Sequence, residues 1–518
     1  MQAYLFFLLF AISRLVFADI QNISVNEQEL YPNFQQNQIN YSPRTLNVLN
    51  FNKICIVGDN YSIKYHNKIY VVDKSGCVNL KVLKVSKTET VVVTDNFNRR
   101  NYRLQLLPET FPALRTTGKI SQKYLLFTLN NKFDRGFPYS YLVIVDKDNN
   151  IVYFQSFIGN NVAVGDFKLQ GDEYSFWLSH NMVEGVGDKI VESGNIYKLS
   201  SNFSPYQMKS GSKNYFDVHD FKTINGKNIN FYYLLQPVPS AYFSSYAIFC
   251  FRLKDASFNF RHIFGSLYHK FFPDNNKDGS LFTDFVHGFI ASLQNIGSNK
   301  VLLYVPIVNI TDQNGVIINT INLLNYPELF SDKSLLNSEK FFDGSMADYF
   351  HLNSVFTDPS DDGLVLSFRH LNQVIKINPS NKKLVWRLGG VNSDFNLSES
   401  QQFSGQHFAY FVVPNSLMIF DNGNLKQKTK VLEFNLDQVN KKIIGFKDLY
   451  TLDSFSKAMG NAEELTNGNI IIGTGYHPES GNDIIEIDKT SKPAFTMRFQ
   501  SIYPYTSYRV YEYESIPK

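Results

Sequence analysis

Short apolar runs recur along the chain. They are rich in β-branched and aromatic residues and are bounded by polar turn residues rather than continued at helical spacing. One kind of run stands alone: YSFWL from Tyr174, FYYLL from Phe231, VLLYV from Val301, LVL from Leu364, LMIF from Leu417 and NIIIG from Asn469. A second kind is a pair of runs around a polar turn. It appears as YLVIVDKDNNIVYF from Tyr141, IYKLSSNFSPYQM from Ile196, FCFRLKDASFNFRHIF from Phe249 and VPIVNITDQNGVII from Val305. It returns as VIKINPSNKKLVWRL from Val374, VLEFNLDQVNKKIIGF from Val431 and DIIEIDKTSKPAFTMRF from Asp483. The repeat length is roughly 50–70 residues, which suits one four-stranded blade with loop insertions. The alternation predicts an all-β fold, a six-bladed β-propeller with seven blades as the alternative. A seventh outer hairpin near the N-terminus would close the ring against the last blade.

Ahead of the repeats, residues 19–117 read as a separate small β domain. IKYHNKIYVV, VNLKVLKV and ETVVVTD are short strand-like runs near the turn residues DKSG and DNFN. The segment LLPETFPALR, with its two prolines, reads as the linker, so the propeller is expected over 118–518. The first 18 residues, MQAYLFFLLFAISRLVFA, have an apolar stretch and a cleavage-like V-F-A before Asp19. They are expected to be a secretory signal peptide, since Arg14 leaves the run short of the ~20 residues that a membrane span needs. No later segment is long and apolar enough to span.

A net charge of +3 over 518 residues, with no dense Lys/Arg run, argues against a nucleic-acid binder. Only three cysteines are present, so the chain is not a disulfide scaffold. Cys55 and Cys77 bracket an expected hairpin and are the candidate disulfide, while Cys250 in IFCF is expected to be a buried thiol. N-x-S/T sequons at Asn22, Asn40, Asn60, Asn202, Asn309 and Asn396 are candidate glycosylation sites in a secreted chain.

Four histidines share one phase of the repeat: His219 (DVHDF), His287 (DFVHGF), His351 (DYFHLNS) and His407 (SGQHFAY). Each precedes a lone apolar run by roughly 10–14 residues, a position from which side chains of successive blades meet at the propeller axis. A single such histidine would read as a blade-packing residue, whereas four in phase point to a site. Arg369, in LSFRHL, emerges at the end of the run that follows His351. Its guanidinium offers a planar fork of donors suited to an oxyanion. His370 beside it is expected on the opposite face as a structural residue. Imidazoles alone could hold zinc or copper, but a guanidinium in the same pocket would be repelled by a divalent ion, so no metal is expected. Neither a P-loop nor a Gly-rich dinucleotide fingerprint is present, so no nucleotide cofactor is expected either.

The stretch ADYFHLNSVFTDPSDDGLVLSFRHLNQVIKINPSNKKLVWRLGG, from Ala347 to Gly390, resembles the arylsulfotransferase family through FHxNS, SxRH and W-x-LGG. QH at Gln406–His407, FDNG from Phe420 and NAEELTNGNIIIGTG from Asn461 extend the resemblance over most of 118–500. It implies a secreted or periplasmic six-bladed propeller that moves a sulfuryl group between phenols without a nucleotide donor. The N-terminal β domain resembles, more weakly, the Ig-like domain of some members. Carried over by motif, the resemblance makes His407 the nucleophile and gives sulfuryl-binding roles to His351, Asn353 and Arg369. His219, in an HD pair, becomes a further site residue, with His287 a second candidate for that place. Phe408 stands directly after QH where many members have an acid, so no carboxylate orienting His407 is expected from that position. Small phenols and aryl sulfates are the implied partners, and because some members pair, a homodimer stays open. The alternatives are a secreted propeller that binds sulfated or other anionic ligands without turnover, and a sulfatase-like hydrolase.

Overall fold

The computed structural model describes most of residues 107–239, 300–331 and 348–517, together with the backbone of separate strands between 45 and 106. The expected signal peptide, His287, Cys250, the hairpin from Phe249, and Asn22, Asn40, Asn60 and Asn202 lie outside the described residues.

Six antiparallel sheets form the blades of a β-propeller. Blade 2 holds Ala163–Gln170, Glu173–Ser179, Ser193–Leu199 and Pro205–Gln207. Blade 3 holds Lys222–Ile224, Lys227–Pro239, Lys300–Thr311 and Ile317–Asn322. Blade 4 runs through Leu352–Thr357, Leu364–Phe368, Gln373–Asn378 and Lys383–Gly389. Blade 5 runs through Phe408–Val413, Ser416–Asp421, Lys430–Asp437 and Lys442–Thr451. Blade 6 runs through Asn461–Glu464, Ile470–Gly473, Ile484–Ile487 and Pro493–Gln500. Blade 1 is built from both ends of the chain. Tyr124–Asn131, Tyr139–Asp146 and Ile151–Ile158 are completed on the inner side by the C-terminal strand Val510–Tyr513. A second closure is made by Ala113–Gly118, which pairs with Pro493–Gln500 as an extra outer strand of blade 6. This strand crosses the expected boundary at 117/118, and Leu107 and Phe111 already pack in the core of blades 1 and 6.

The burial pattern follows from the ring. A middle strand touches its own neighbours and both adjacent blades, so Leu364–Phe368 and Ser416–Asp421 are buried at every position. The outer strand Pro493–Gln500 alternates buried and exposed residues from Phe495, as a strand with one wet face should. The lone runs are therefore the two-sided strands, which explains their unbroken hydrophobicity. One reading of the repeat is corrected. The runs at Phe231 and Val301, expected to open separate units, pair with each other residue for residue from Asn228–Thr311 to Pro239–Lys300. Two repeats therefore share blade 3.

Among the described residues the only helices are single 3-10 turns at Leu323–Asn325, Pro327–Leu329 and Glu399–Gln401. None of the helices among them is long and apolar enough to cross a membrane. In the N-terminal region, Thr45–Val48, Arg99–Leu106, Thr90–Thr94, Ser62–Tyr65 and Lys68–Val71 form one sheet, and Phe51–Cys55 pairs with Cys77–Lys81. In that pair Cys55 and Cys77 are directly opposed. Asn396 is exposed in a loop. Asn309, by contrast, is buried mid-strand, and its Oδ1 accepts a hydrogen bond from Thr320 Oγ1 at 2.9 Å. That strand is packed on both sides and leaves no room for a glycan, so the sequon at Asn309 is not a surface acceptor.

Candidate active site

The inner strands of successive blades pack against one another around the axis. His219, His351 and His407 lie just ahead of the inner strands of blades 3, 4 and 5, so the ring brings them together. The His219 and His351 rings meet edge-on with centroids 4.6 Å apart, and His219 lies 6.1 Å from His407. The Tyr508 ring packs edge-on against His407 at 5.1 Å.

The three imidazoles differ in what holds their Nδ1. His219 Nδ1 lies 2.7 Å from Asp217 Oδ1, which also accepts the His219 backbone N–H. His351 Nδ1 lies 2.5 Å from Asp348 Oδ2, and Asp348 Oδ1 accepts the His351 backbone N–H. That bond helps to hold His351 at φ +48°, a conformation that costs a non-glycine residue about 1–3 kcal/mol. His407 Nδ1 instead faces the Gly460 carbonyl oxygen at 3.0 Å. A carbonyl only accepts, so His407 carries its proton on Nδ1 and its lone pair on Nε2. Gly460 is at φ +92°, and a β-carbon there would meet the Phe420 ring at 2.4 Å. Only glycine lets this carbonyl reach the imidazole. Burial, reinforced by the positive charge of Arg509 and by His219, holds His407 well below the ordinary histidine range.

Asn353 is fully buried on the inner strand of blade 4, and its Nδ2 donates to the Gln406 carbonyl at 2.7 Å. It thereby ties blade 4 to the residue preceding the nucleophile candidate. Arg369 lies at the strand end that the sequence indicated. It donates to the Gly405 carbonyl at 2.6 Å and to the Lys457 carbonyl at 2.8 Å, clamping the loops that lead to His407 and Gly460. The FDNG motif shapes the same loop from behind. Asp421 accepts from the Ser404 and Gly423 amides, and Asn422 donates to the Ser456 and Met459 carbonyls. Burial raises the Asp421 carboxyl to about 7.

His370 was expected on the far face of its strand, yet its ring packs 4.5 Å from that of His351, and its Nδ1 points to the Asp348 carbonyl. Asp348, His351 and His370 thus bring metal-ligand types of atom within 4.8 Å of one another. The hydrogen bonds among the three account for this proximity. A cavity of about 340 Å³ is lined by His370, Leu371, Phe403, Asp421 and Leu425 with Lys426, Lys428 and Lys430.

The sequence reading missed several residues. Asp217 and Asp348 each precede their histidine by two or three positions, a signal that was present in the quoted motifs. Gly460 and the Arg509–Tyr508 pair carried none, because Gly460 acts through its backbone oxygen and only ring closure brings Arg509 and Tyr508 to His407. Below the histidines the axis is filled by charge. Arg509 pairs with Asp166 at 3.2 Å and Asp220 at 3.1 Å, while Lys168 pairs with both carboxylates. Lys222, buried and next to Lys168, is lowered to about 8 and lies 3.8 Å above the Phe356 ring.

Among known proteins, the sequence model described as Arylsulfotransferase (ASST) matches residues 284–500. The span includes His351, Asn353, Arg369 and His407 but not His219 or Arg509. No curated protein matches the chain. Among solved structures, Hsv2 of Kluyveromyces lactis is 9% identical, covering 82% of this chain and 92% of that one at a TM-score of 0.30. AztD of Citrobacter koseri is 9% identical, covering 87% and 97% at 0.31. The periplasmic gluconolactonase PpgL of Pseudomonas aeruginosa is 8% identical, covering 74% and 99% at 0.34. TM-scores this low add nothing about fold or function. Over 284–500, the part of the chain that carries His351, Asn353, Arg369 and His407, the sequence is similar to the arylsulfotransferase family.

Proposed function

We propose that this protein transfers a sulfuryl group from an aryl sulfate to a phenol through a covalent sulfohistidine at His407, with no nucleotide donor. One observation carries the reading: His407 is held as a neutral imidazole with Nδ1 on a carbonyl, beside two imidazoles held on carboxylates. The Nε2 lone pair attacks sulfur, and the S–O bond to the aryl group breaks with its electron pair leaving on oxygen. His219 or His351 gives that oxygen a proton, and the phenol departs. The sulfated ring carries positive charge, which the Gly460 carbonyl dipole stabilises. In the second half the acceptor phenol loses its proton to the same acid/base group. Its oxygen attacks sulfur, and the N–S bond breaks to restore neutral His407. Acid/base help of this kind contributes about 10²–10⁴-fold. Asn353 and the Arg369 charge support the growing negative charge on the sulfuryl oxygens. The cavity beside His370, whose lining combines Leu371, Phe403 and Leu425 with Lys426, Lys428 and Lys430, suits an aryl ring bearing an anionic group.

Secretion belongs to the same proposal. The N-terminal 18 residues read as a signal peptide, and the opposed Cys55 and Cys77 suit a disulfide in an oxidising compartment. The test is incubation of the secreted protein with p-nitrophenyl sulfate. Nitrophenol release that depends on a phenol acceptor, with a one-sulfuryl mass increase on the His407 peptide, is expected. Both vanish in His407→Ala. Release into water without an acceptor would make the protein a hydrolase, and ligand binding without turnover would make it a binding module.

A further inference from the structure

We propose that Arg509, delivered by the strand that closes the ring, is a positioning residue that fixes the walls around His407 and places a permanent positive charge behind it. The inference rests on the proposed role of His407. Arg509 immediately precedes the C-terminal strand Val510–Tyr513, so the last step of propeller closure puts it on the axis. It is fully buried. Its Nη2 donates to the Asn353 carbonyl at 2.6 Å, fixing the inner strand of blade 4. Its guanidinium lies 4.7 Å from the Phe408 ring centroid and 5.1 Å from that of Tyr508. Phe408 follows the nucleophile in sequence. Tyr508 packs on the nucleophile's ring and donates through its hydroxyl to the His219 carbonyl at 2.7 Å. One side chain thus touches the supports of three site residues contributed by three blades.

The charge is held in place from several sides. Asp166 and Asp220 bind the guanidinium, and Asp220 also accepts the Val355 amide at 2.9 Å. Lys168 and Lys222 lie beside the same carboxylates, Tyr511 donates to Asp166 at 2.5 Å, and Glu463 faces the group from blade 6. Burial alone would weaken the Arg509 charge, but the carboxylates, Asp220 foremost, hold it well above the usual arginine value. Around His407 the charged neighbours are Arg509, His219 and Arg369, with the Gly460 carbonyl acting in the opposite sense. Arg509 is the strongest of these and opposes protonation of the nucleophile. A lysine could keep the charge but not the simultaneous reach to Asn353, Asp166 and Asp220.

The experiment follows the His407 ring itself, so that it does not depend on turnover. Protein labelled with ¹³C-histidine is titrated by NMR, with His407→Gln assigning the resonance. In Arg509→Met the His407 midpoint should rise by about one pH unit or more, because a neighbouring charge is worth that much. In Arg509→Lys the midpoint should stay near that of the wild type, while single-turnover sulfuryl loading falls at least tenfold at all pH values. An unmoved midpoint in Arg509→Met, or wild-type loading in Arg509→Lys, overturns the proposal. Should Arg509→Met lack a native melting transition, Arg509→Lys decides alone, and slowed loading with an unmoved midpoint is required. If the wild type takes no sulfuryl group, the His407 midpoints still decide the charge role, and only the sulfotransferase reading fails.

Discussion

The two sides of the candidate site hold their imidazoles differently. In blades 3 and 4, His219 and His351 lean on the carboxylates of Asp217 and Asp348. In blade 5, His407 leans on the uncharged Gly460 carbonyl and is backed by Arg509. A carboxylate favours an imidazolium, so the first side suits groups that pick up and release a proton. A carbonyl backed by positive charge favours neutral imidazole, so the second side suits a nucleophile. Three histidines in one repeat phase thus meet two kinds of partner, and in the proposed mechanism this difference separates the acid/base groups from the nucleophile.

The largest break of this asymmetry comes from Asp348→Asn. Asparagine fills the same space but can donate to His351 Nδ1, which reverses the ring's proton arrangement. Turnover of phenyl sulfate, whose leaving group needs a proton, should fall about 10²-fold or more. Turnover of p-nitrophenyl sulfate, whose phenolate leaves unaided, should fall far less. Equal losses on the two donors, measured as single-turnover rates of sulfuryl loading before any acceptor is added, would remove the acid/base role from the carboxylate side.

The nucleophile side is sharpened by pH. His407 is shifted below the unfolded value of about 6.5, so it stays unprotonated in the native state while the unfolded chain takes up a proton. Sulfuryl loading of the wild type should therefore persist below pH 6.5. Stability linked to this group is fully present above 6.5 and is lost as pH falls from there through the lower native value. In His407→Gln that part of the acid destabilisation should be absent, as read from melting temperature against pH. An acidic limb of loading at or above pH 6.5 would place a charge partner on His407 that the structure does not show.

Period and burial explain how far the sequence could be read. The lone run LVL at Leu364 is apolar at successive positions because it is covered on both faces, and that marks a middle strand without any tertiary knowledge. His351 and His407 are legible for the same reason, since each sits at a fixed offset from such a run. The runs at Phe231 and Val301 show the limit. Both look like middle strands, and both are, but in one blade, because pairing between strands some seventy residues apart leaves no local trace. Gly460 and Arg509 were illegible for a related reason. Gly460 acts through a backbone oxygen, and Arg509 acts across the ring closure, so neither has a side-chain motif near its target. Asp217 and Asp348 differ, for an aspartate two or three places before each histidine was visible in the motifs.

The smallest effect concerns a carboxylate that lies behind the loop leading to His407. Asp421 binds the Ser404 and Gly423 amides, not the His407 ring, and burial raises it to about 7. Below the unfolded value of about 3.8 the carboxyl is protonated in both states. As pH rises from there through 7, the unfolded chain ionises first, and the native state loses stability relative to it. Asparagine keeps an oxygen for both amides and cannot ionise, so Asp421→Asn should remove this loss. Its melting temperature should exceed that of the wild type by about 2 °C at pH 8 and match it near pH 4. Sulfuryl loading should change little beside the Asp348→Asn effect, because the carboxylate supports the loop rather than the imidazole. A loading loss as large as that of Asp348→Asn would mean that His407 depends on a negative charge after all, and the two sides of the centre would then work alike.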